Sequence, residues 1–135
     1  MIVVDTNIIS YFYLTSEFSE LAEKLYLKEP VWSVPLLWRS EFRNVLALYI
    51  RKELITLNDA VEIFEAAEEL LLNNEFEINS IYVLTLAQAS GCTAYDCEFV
   101  SLAQDLNVQL VTMDEKTSKK FSGTVLSIPE FLENK

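Results

Sequence analysis

Four carboxylates stand where their neighbours are apolar. Asp5 ends the run "MIVVDTN", and Asp114 ends "LVTMDEK". Glu41 lies in "PLLWRSEFRNVLALYI" and Asp96 in "TAYDCEFVSLAQDL". Each has an ordinary reading. Asp5, Thr6 and Asn7 are turn and helix-start residues. Thr93 and Asp96 fit a capping box, and Asp114 suits the N-cap of the short helix that "EKTSKKF" would form. Glu41 fits less comfortably. On a helical wheel advancing about 100° per residue, Leu37, Trp38, Phe42, Val45, Leu48 and Tyr49 fill one half, and Glu41 falls within it. Arg39, Arg43 and Arg51 fall outside. Asp96 likewise lies between Val100 and Ala103 on its apolar arc, whereas Glu98 and Asp105 point outward. A carboxylate on a buried face costs several kcal/mol unless something compensates it.

Taken together the four acids suggest a common purpose. Two end strands, and two begin or lie early in helices that follow loops, so all belong to the carboxyl edge of a parallel sheet. Four carboxylates in one crevice cannot all ionise comfortably without a cation. Oxygen-only ligation favours Mg²⁺ or Mn²⁺, ions that activate water and steady the charge on a phosphate in transit. The chain contains no histidine, which excludes Ser-His-Asp and Cys-His catalysis and any histidine-bearing zinc site. Its two glycines, Gly91 and Gly123, leave room for neither a GxGxxG fingerprint nor a P-loop.

The elements that must position these acids alternate between strand and helix across 135 residues, the size of one domain. Strands are expected at 2–4, 31–34, 75–78 and 108–112 and in "GTVLSI". Helices are expected at 16–29, from Pro35 to about Lys52, in "TLNDAVEIFEAAEELLLN" with Thr56 and Asp59 in capping-box spacing, and in "TAYDCEFVSLAQDL". "SIYVLTLAQASG" is nearly all apolar and is expected as a central helix closed by Gly91. Such alternation implies an α/β domain with a parallel sheet. Cys92 and Cys97 are too few for a disulfide framework, and no apolar run reaches membrane-spanning length, so a cytoplasmic location is expected. The net charge of −11 runs against phosphate attraction, although much of it is carried by Asp59, Glu62, Glu65, Glu68 and Glu69 on one helix. Arg39, Arg43, Lys116, Lys119 and Lys120 are the local cations that could meet a phosphate, or else ordinary solubilising charges.

In order, "VVDTNIIS", "WRSEFRNVL", "TAYDCEFVSLAQ" and "LVTMDEK" resemble the four motifs of the PIN domain, and the resemblance spans nearly the whole of residues 1–135. The chain is most similar to the VapC-type toxins of bacterial and archaeal toxin-antitoxin pairs. The resemblance implies a single domain with a five-stranded parallel sheet ordered 3-2-1-4-5 and flanked by helices. It further implies a Mg²⁺- or Mn²⁺-dependent endoribonuclease, usually a homodimer, with RNA as substrate and a cognate antitoxin as partner. By motif position Asp5, Glu41, Asp96 and Asp114 form the catalytic and metal-holding site, with Asn7 and Thr112 as supporting polar groups. Lys116 stands where some relatives carry a further acid. Two rivals remain: a Mg²⁺-dependent phosphohydrolase with Asp5 as nucleophile, which in its commonest form wants an Asp where Asn7 stands, and a non-catalytic interaction module.

Overall fold

The computed structural model describes residues 1–134. Its organising strand is β1 (Ile2–Val4), whose three side chains are all buried, as in a strand covered on both faces. β1 pairs in parallel with β2 (Trp32–Pro35) on one side and β4 (Leu110–Val111) on the other. β3 (Glu75–Phe76) flanks β2, and β5 (Val125–Leu126) flanks β4. The sheet therefore runs β3-β2-β1-β4-β5, the order expected above. Chain order reverses at β1, which opens a crevice at the carboxyl ends of its neighbours.

Alternation along β1 divides the interior. Ile2 and Val4 join a core with Ile8, Trp32, Trp38 and Phe42, while Val3 joins Phe99, Val100, Leu110 and Val125 on the other face. The first core is covered by α1 (Thr6–Tyr13), α2 (Ser19–Lys28), α3 (Leu37–Arg51), α4 (Leu57–Leu70) and, after β5, α8 (Ile128–Glu133). Here Trp38 and Phe64 stack at 5.2 Å, tying α3 to α4. The second core is built largely by α6 (Ala94–Leu106), with α5 (Ser80–Ser90) packed outside it. The short α7 (Glu115–Lys120) links β4 to β5.

Several local readings change. No element was expected over residues 6–15, where Ile, Tyr and Phe favour strands, yet α1 starts one residue after β1. Tertiary burial of Ile8 and Ile9 overrides that propensity. Pro35 ends β2 opposite Phe76 instead of opening α3. α2 begins at Ser19, because Ser16 and Ser19 close a turn through their hydroxyls first. α8 was also unanticipated, although Ser127 and Glu130 form a full capping box and Pro129 sits in its first turn. The last three strands are shorter than their apolar runs. α5 is not central: Val83 is buried, but Ile81 is 78% and Leu84 64% exposed. A helix apolar all round has no preferred inner face, and here α6 covers one side only. Gly91 does end it, at φ 74°, in the left-handed cap expected of it.

Phe42 is fully buried beside Tyr13 of α1 and Phe64 of α4, so Phe42→Ala should destabilise the domain by about 3–5 kcal/mol. The partly exposed Leu48, on the same helix, should cost under about 1 kcal/mol when replaced by Ala. Urea unfolding followed by circular dichroism checks both, and equal losses would contradict this packing.

Candidate active site

Asp5 closes β1 and opens α1 at once. Its backbone N–H continues the ladder to the Val111 carbonyl at 3.0 Å. Its Oδ1 accepts from the Thr6 N–H at 2.7 Å, capping α1, and its Oδ2 accepts from the Thr112 hydroxyl at 2.7 Å. Thr112, buried just beyond β4, accepts in turn from the Asn7 amide at 3.2 Å and from the Asp114 N–H at 3.0 Å. The Thr6 hydroxyl donates to Glu41 Oε1 at 2.7 Å and so couples α1 to α3. One connected network thus joins β1, α1, α3 and β4. The helix-start reading of Asp5 holds, and the same carboxylate is tied into the network that joins these elements.

The two capping acids differ. Asp114 caps α7, accepting from the Lys116 N–H at 3.1 Å and the Thr117 hydroxyl at 2.9 Å. At α6 the Thr93 hydroxyl accepts from the Asp96 N–H at 3.1 Å, but the reciprocal bond of a capping box is not formed, in contrast to the boxes that open α4 and α8. The Asp96 carboxylate is half-buried, within reach of the charges of Asp114 and Lys116.

Like charges act on one another throughout this set. Burial raises the Asp5 carboxyl to about 6, with the Glu41 and Asp96 charges adding to it against the bonds from Thr112 and Thr6. Glu41 is raised by burial and then by Asp96 and Glu98, partly offset by Thr6. Asp96 is raised by burial and by Asp114, while Thr93 and Lys116 oppose that shift. The four acids picked from the sequence therefore form one electrostatic cluster.

Glu98 is a correction to the helical wheel. It is half-buried, its carboxyl is raised by that burial, and its charge reaches Glu41. A wheel separates the arc one helix turns inward, but Glu98 is shielded by neighbouring segments that no single-helix pattern contains. Asp105 is exposed, as expected. The candidate cations also sort themselves. The Arg39 guanidinium is engaged by Glu75, at 2.6 and 2.9 Å, and by Glu68 at 2.7 Å. Arg43 lies over the Phe64 ring at 5.6 Å, beside a groove between α3 and α4. Lys116 acts on Asp96, and Lys119 and Lys120 are exposed on α7.

The crevice itself, about 390 Å³, is lined by Asp5, Thr6, Asn7, Ser10, Glu41 and Asn44. A smaller cleft shares Glu41 and Asn44 and extends to Tyr95. Among the described residues, no three carboxylates or thiols close into a finished metal cage. A hard ion such as Mg²⁺ does not need one, because it keeps several waters and takes one or two carboxylates. The Asn7 Oδ1 is buried without a hydrogen-bond partner among the described residues, a spare acceptor beside the acids. The donor set, all oxygen and short of positive charge, fits a hydrated divalent cation.

Comparison with known proteins agrees with this fold. The PIN domain family model matches residues 2–121. A relative named Ribonuclease VapC3, from Pyrobaculum aerophilum, is 28% identical over 128 residues, covering 92% of this chain and 97% of its own. The crystal structure of PAE2754 from Pyrobaculum aerophilum shares the fold with a TM-score of 0.76 at 19% identity, over 96% of this chain and 85% of that one. A toxin-antitoxin complex from Klebsiella pneumoniae matches with a TM-score of 0.65 at 17% identity, over 95% of this chain and 98% of its own.

The raised acids make the stability of the metal-free protein depend on pH. A group whose folded pKa lies above its unfolded value contributes stability that is complete below the unfolded value and lost as pH rises through the folded one. For Asp5 that window runs from about 3.8 to about 6. Glu75 is held below the usual carboxylate range by Arg39, so its opposite contribution falls away only at more acid pH. In EDTA the protein should therefore melt at a higher temperature at pH 5.5 than at pH 7.5. Asp5→Asn, which keeps a helix-capping acceptor, should raise the melting point at pH 7.5 and flatten the pH dependence. A wild-type melting point that falls on this acidification would contradict the crowding described.

Proposed function

The chain belongs to the PIN domain family, and from that footing we propose that it is a Mg²⁺- or Mn²⁺-dependent endoribonuclease, the toxin member of a toxin-antitoxin pair. One observation carries the reading: carboxylates from four separate segments meet at the carboxyl edge of the sheet, and Asp5, Glu41 and Asp96 are each raised by burial and by a neighbouring acid. The ribonuclease name of the relative supports it at the level of activity.

Asp5, Glu41, Asp96 and Asp114 would hold the ion, which when bound lowers the pKa of water and neutralises charge on the phosphate. The chain's other residues position that set. Thr6 and Thr112 fix the Glu41 and Asp5 carboxylates through their hydroxyls. Asn7 anchors Thr112 by its amide nitrogen and leaves its oxygen as an acceptor. Lys116, whose charge reaches Asp96, would meet a non-bridging phosphate oxygen. Both oxygens of Asp5 already accept hydrogen bonds, which suits a held ligand better than a free nucleophile and ranks the phosphohydrolase reading below this one.

Two partners follow. An antitoxin supplying a basic side chain would complement the acidic crevice, and the name of the Klebsiella neighbour, a toxin-antitoxin complex, supports such a partner. A second copy of the chain would cover the exposed Ile81, Tyr82 and Leu84 of α5 and give the homodimer expected above. We place the enzyme in the cytoplasm, where its proposed RNA substrate would be met; among the described residues no helix is long and apolar enough to cross a membrane.

Purified protein should cleave an unstructured RNA with Mn²⁺, stop in EDTA, and leave a phosphate monoester untouched. Asp96→Asn should lower the rate by at least about a hundredfold, and the exposed Asp105→Asn should stay within a few-fold. Monoester hydrolysis without RNA cleavage would refute the reading. For the dimer, Ile81→Asp combined with Leu84→Asp should shift the mass seen by light scattering from two copies to one; a wild type that is already monomeric would remove that part.

A further inference from the structure

A second cleft, about 300 Å³, opens on the other side of Asp114, between α7 and the start of α8. It shares Thr112 and Asp114 with the acidic site, so whatever fills it lies next to the carboxylates proposed to hold the ion. Met113 and Pro129 give it apolar walls, and Lys119 stands at its rim with no ion-pair partner among the described residues. Its polar lining is rich in acceptors. Glu130 offers one oxygen to the Ser127 N–H at 3.0 Å, and its second oxygen makes no hydrogen bond among the described residues. Glu115 lies nearby on the same lining.

Such a lining repels phosphate but suits a planar ring with N–H donors on its edge. A carboxylate accepts from an exocyclic amino group, as it does from cytosine N4, whereas the uracil edge presents carbonyl oxygens to either side of a single N–H. Methionine packs well on aromatic faces, and a cavity of this size holds one base. The rim lysine is then free for the adjoining phosphate, which positions the strand without reading it. We propose that the α7–α8 cleft binds the base of a nucleotide flanking the cleaved phosphodiester and selects bases bearing an exocyclic amino group over uracil. This deepens the ribonuclease reading and rests on it for the word "flanking".

The test separates binding from cleavage. The ¹⁵N-labelled full chain, in EDTA, is titrated with the 5′-monophosphates of cytidine, adenosine, guanosine and uridine. Amide shifts should centre on Met113, Ser118 and Glu130, with affinity for the amino-bearing nucleotides at least about tenfold above that for uridine, the order of one good base-edge pair. Glu130→Gln keeps an acceptor for the Ser127 N–H but loses the charge, and should narrow that gap at least about threefold. Equal affinity for all four, shifts elsewhere, or no saturable binding overturns the proposal. In parallel, RNAs differing at one base beside the cut are digested with Mn²⁺. Cleavage indifferent to that base overturns the subsite but leaves the nuclease standing. Base-selective binding without any cleavage overturns the nuclease but leaves the cleft a nucleotide site.

Discussion

The carboxylate of Asp5 is held from two directions, by the Thr6 N–H on the helix that follows it and by the Thr112 hydroxyl on the neighbouring strand. Much of the site's geometry hangs from that pair of bonds. β1 is only three residues long and fully buried, so its last peptide delivers Asp5 into a poorly hydrated place. Thr6 then has no freedom but to begin α1, where its hydroxyl reaches Glu41 on α3. Thr112 in turn is fixed by Asn7 and by the Asp114 N–H. Neutral hydroxyls and amides order the carboxylates here without cancelling their charge. The result is an ordered site that remains electrostatically unsatisfied, which is what a cation site requires before its ion arrives.

This arrangement also reconciles a net charge of −11 with the anionic substrate proposed above. Bulk charge governs long-range attraction, and it is screened over about 8–10 Å at physiological salt. At shorter range, local placement decides. Arg39 is bound by Glu68 and Glu75 and serves the fold, whereas Lys116, Lys119 and Lys120 gather on α7 beside the acids. The lysines of α7 thus stand on the helix that Asp114 caps, available to the phosphates of the proposed substrate. The remaining acidity lies elsewhere, notably along α4, where it keeps the surface solvated.

The apolar surface is likewise unevenly arranged. α5 leaves Ile81 and Leu84 in water although its composition reads as that of a core helix. A groove between α3 and α4, lined by Leu46, Ile50, Val61 and Phe64, is a second uncovered apolar surface. Faces of this kind on a small domain mark places where other chains bind.

The order of the strands was reached only through the resemblance of the motifs to the PIN domain; read from its residues alone, the sequence determined the parallel α/β sheet, the five strand positions, the Thr56 and Gly91 helix ends, and the four acids that the structure gathers. These were legible because they rest on short-range signals: fully apolar strands, capping spacings, and a carboxylate inside an apolar arc. What only the tertiary structure decided were properties of neighbours distant in sequence. α1 forms because Ile8 and Ile9 are buried by elements far along the chain, against their local preference. Glu98 joins the acidic site because surrounding segments shield it, and Arg39 leaves the list of free cations because Glu68 and Glu75 reach it from α4 and β3. α5 lies outside because a uniformly apolar helix carries no instruction about which side to bury. Burial and charge pairing depend on what arrives from elsewhere in the chain, and periodicity within one element holds no record of it.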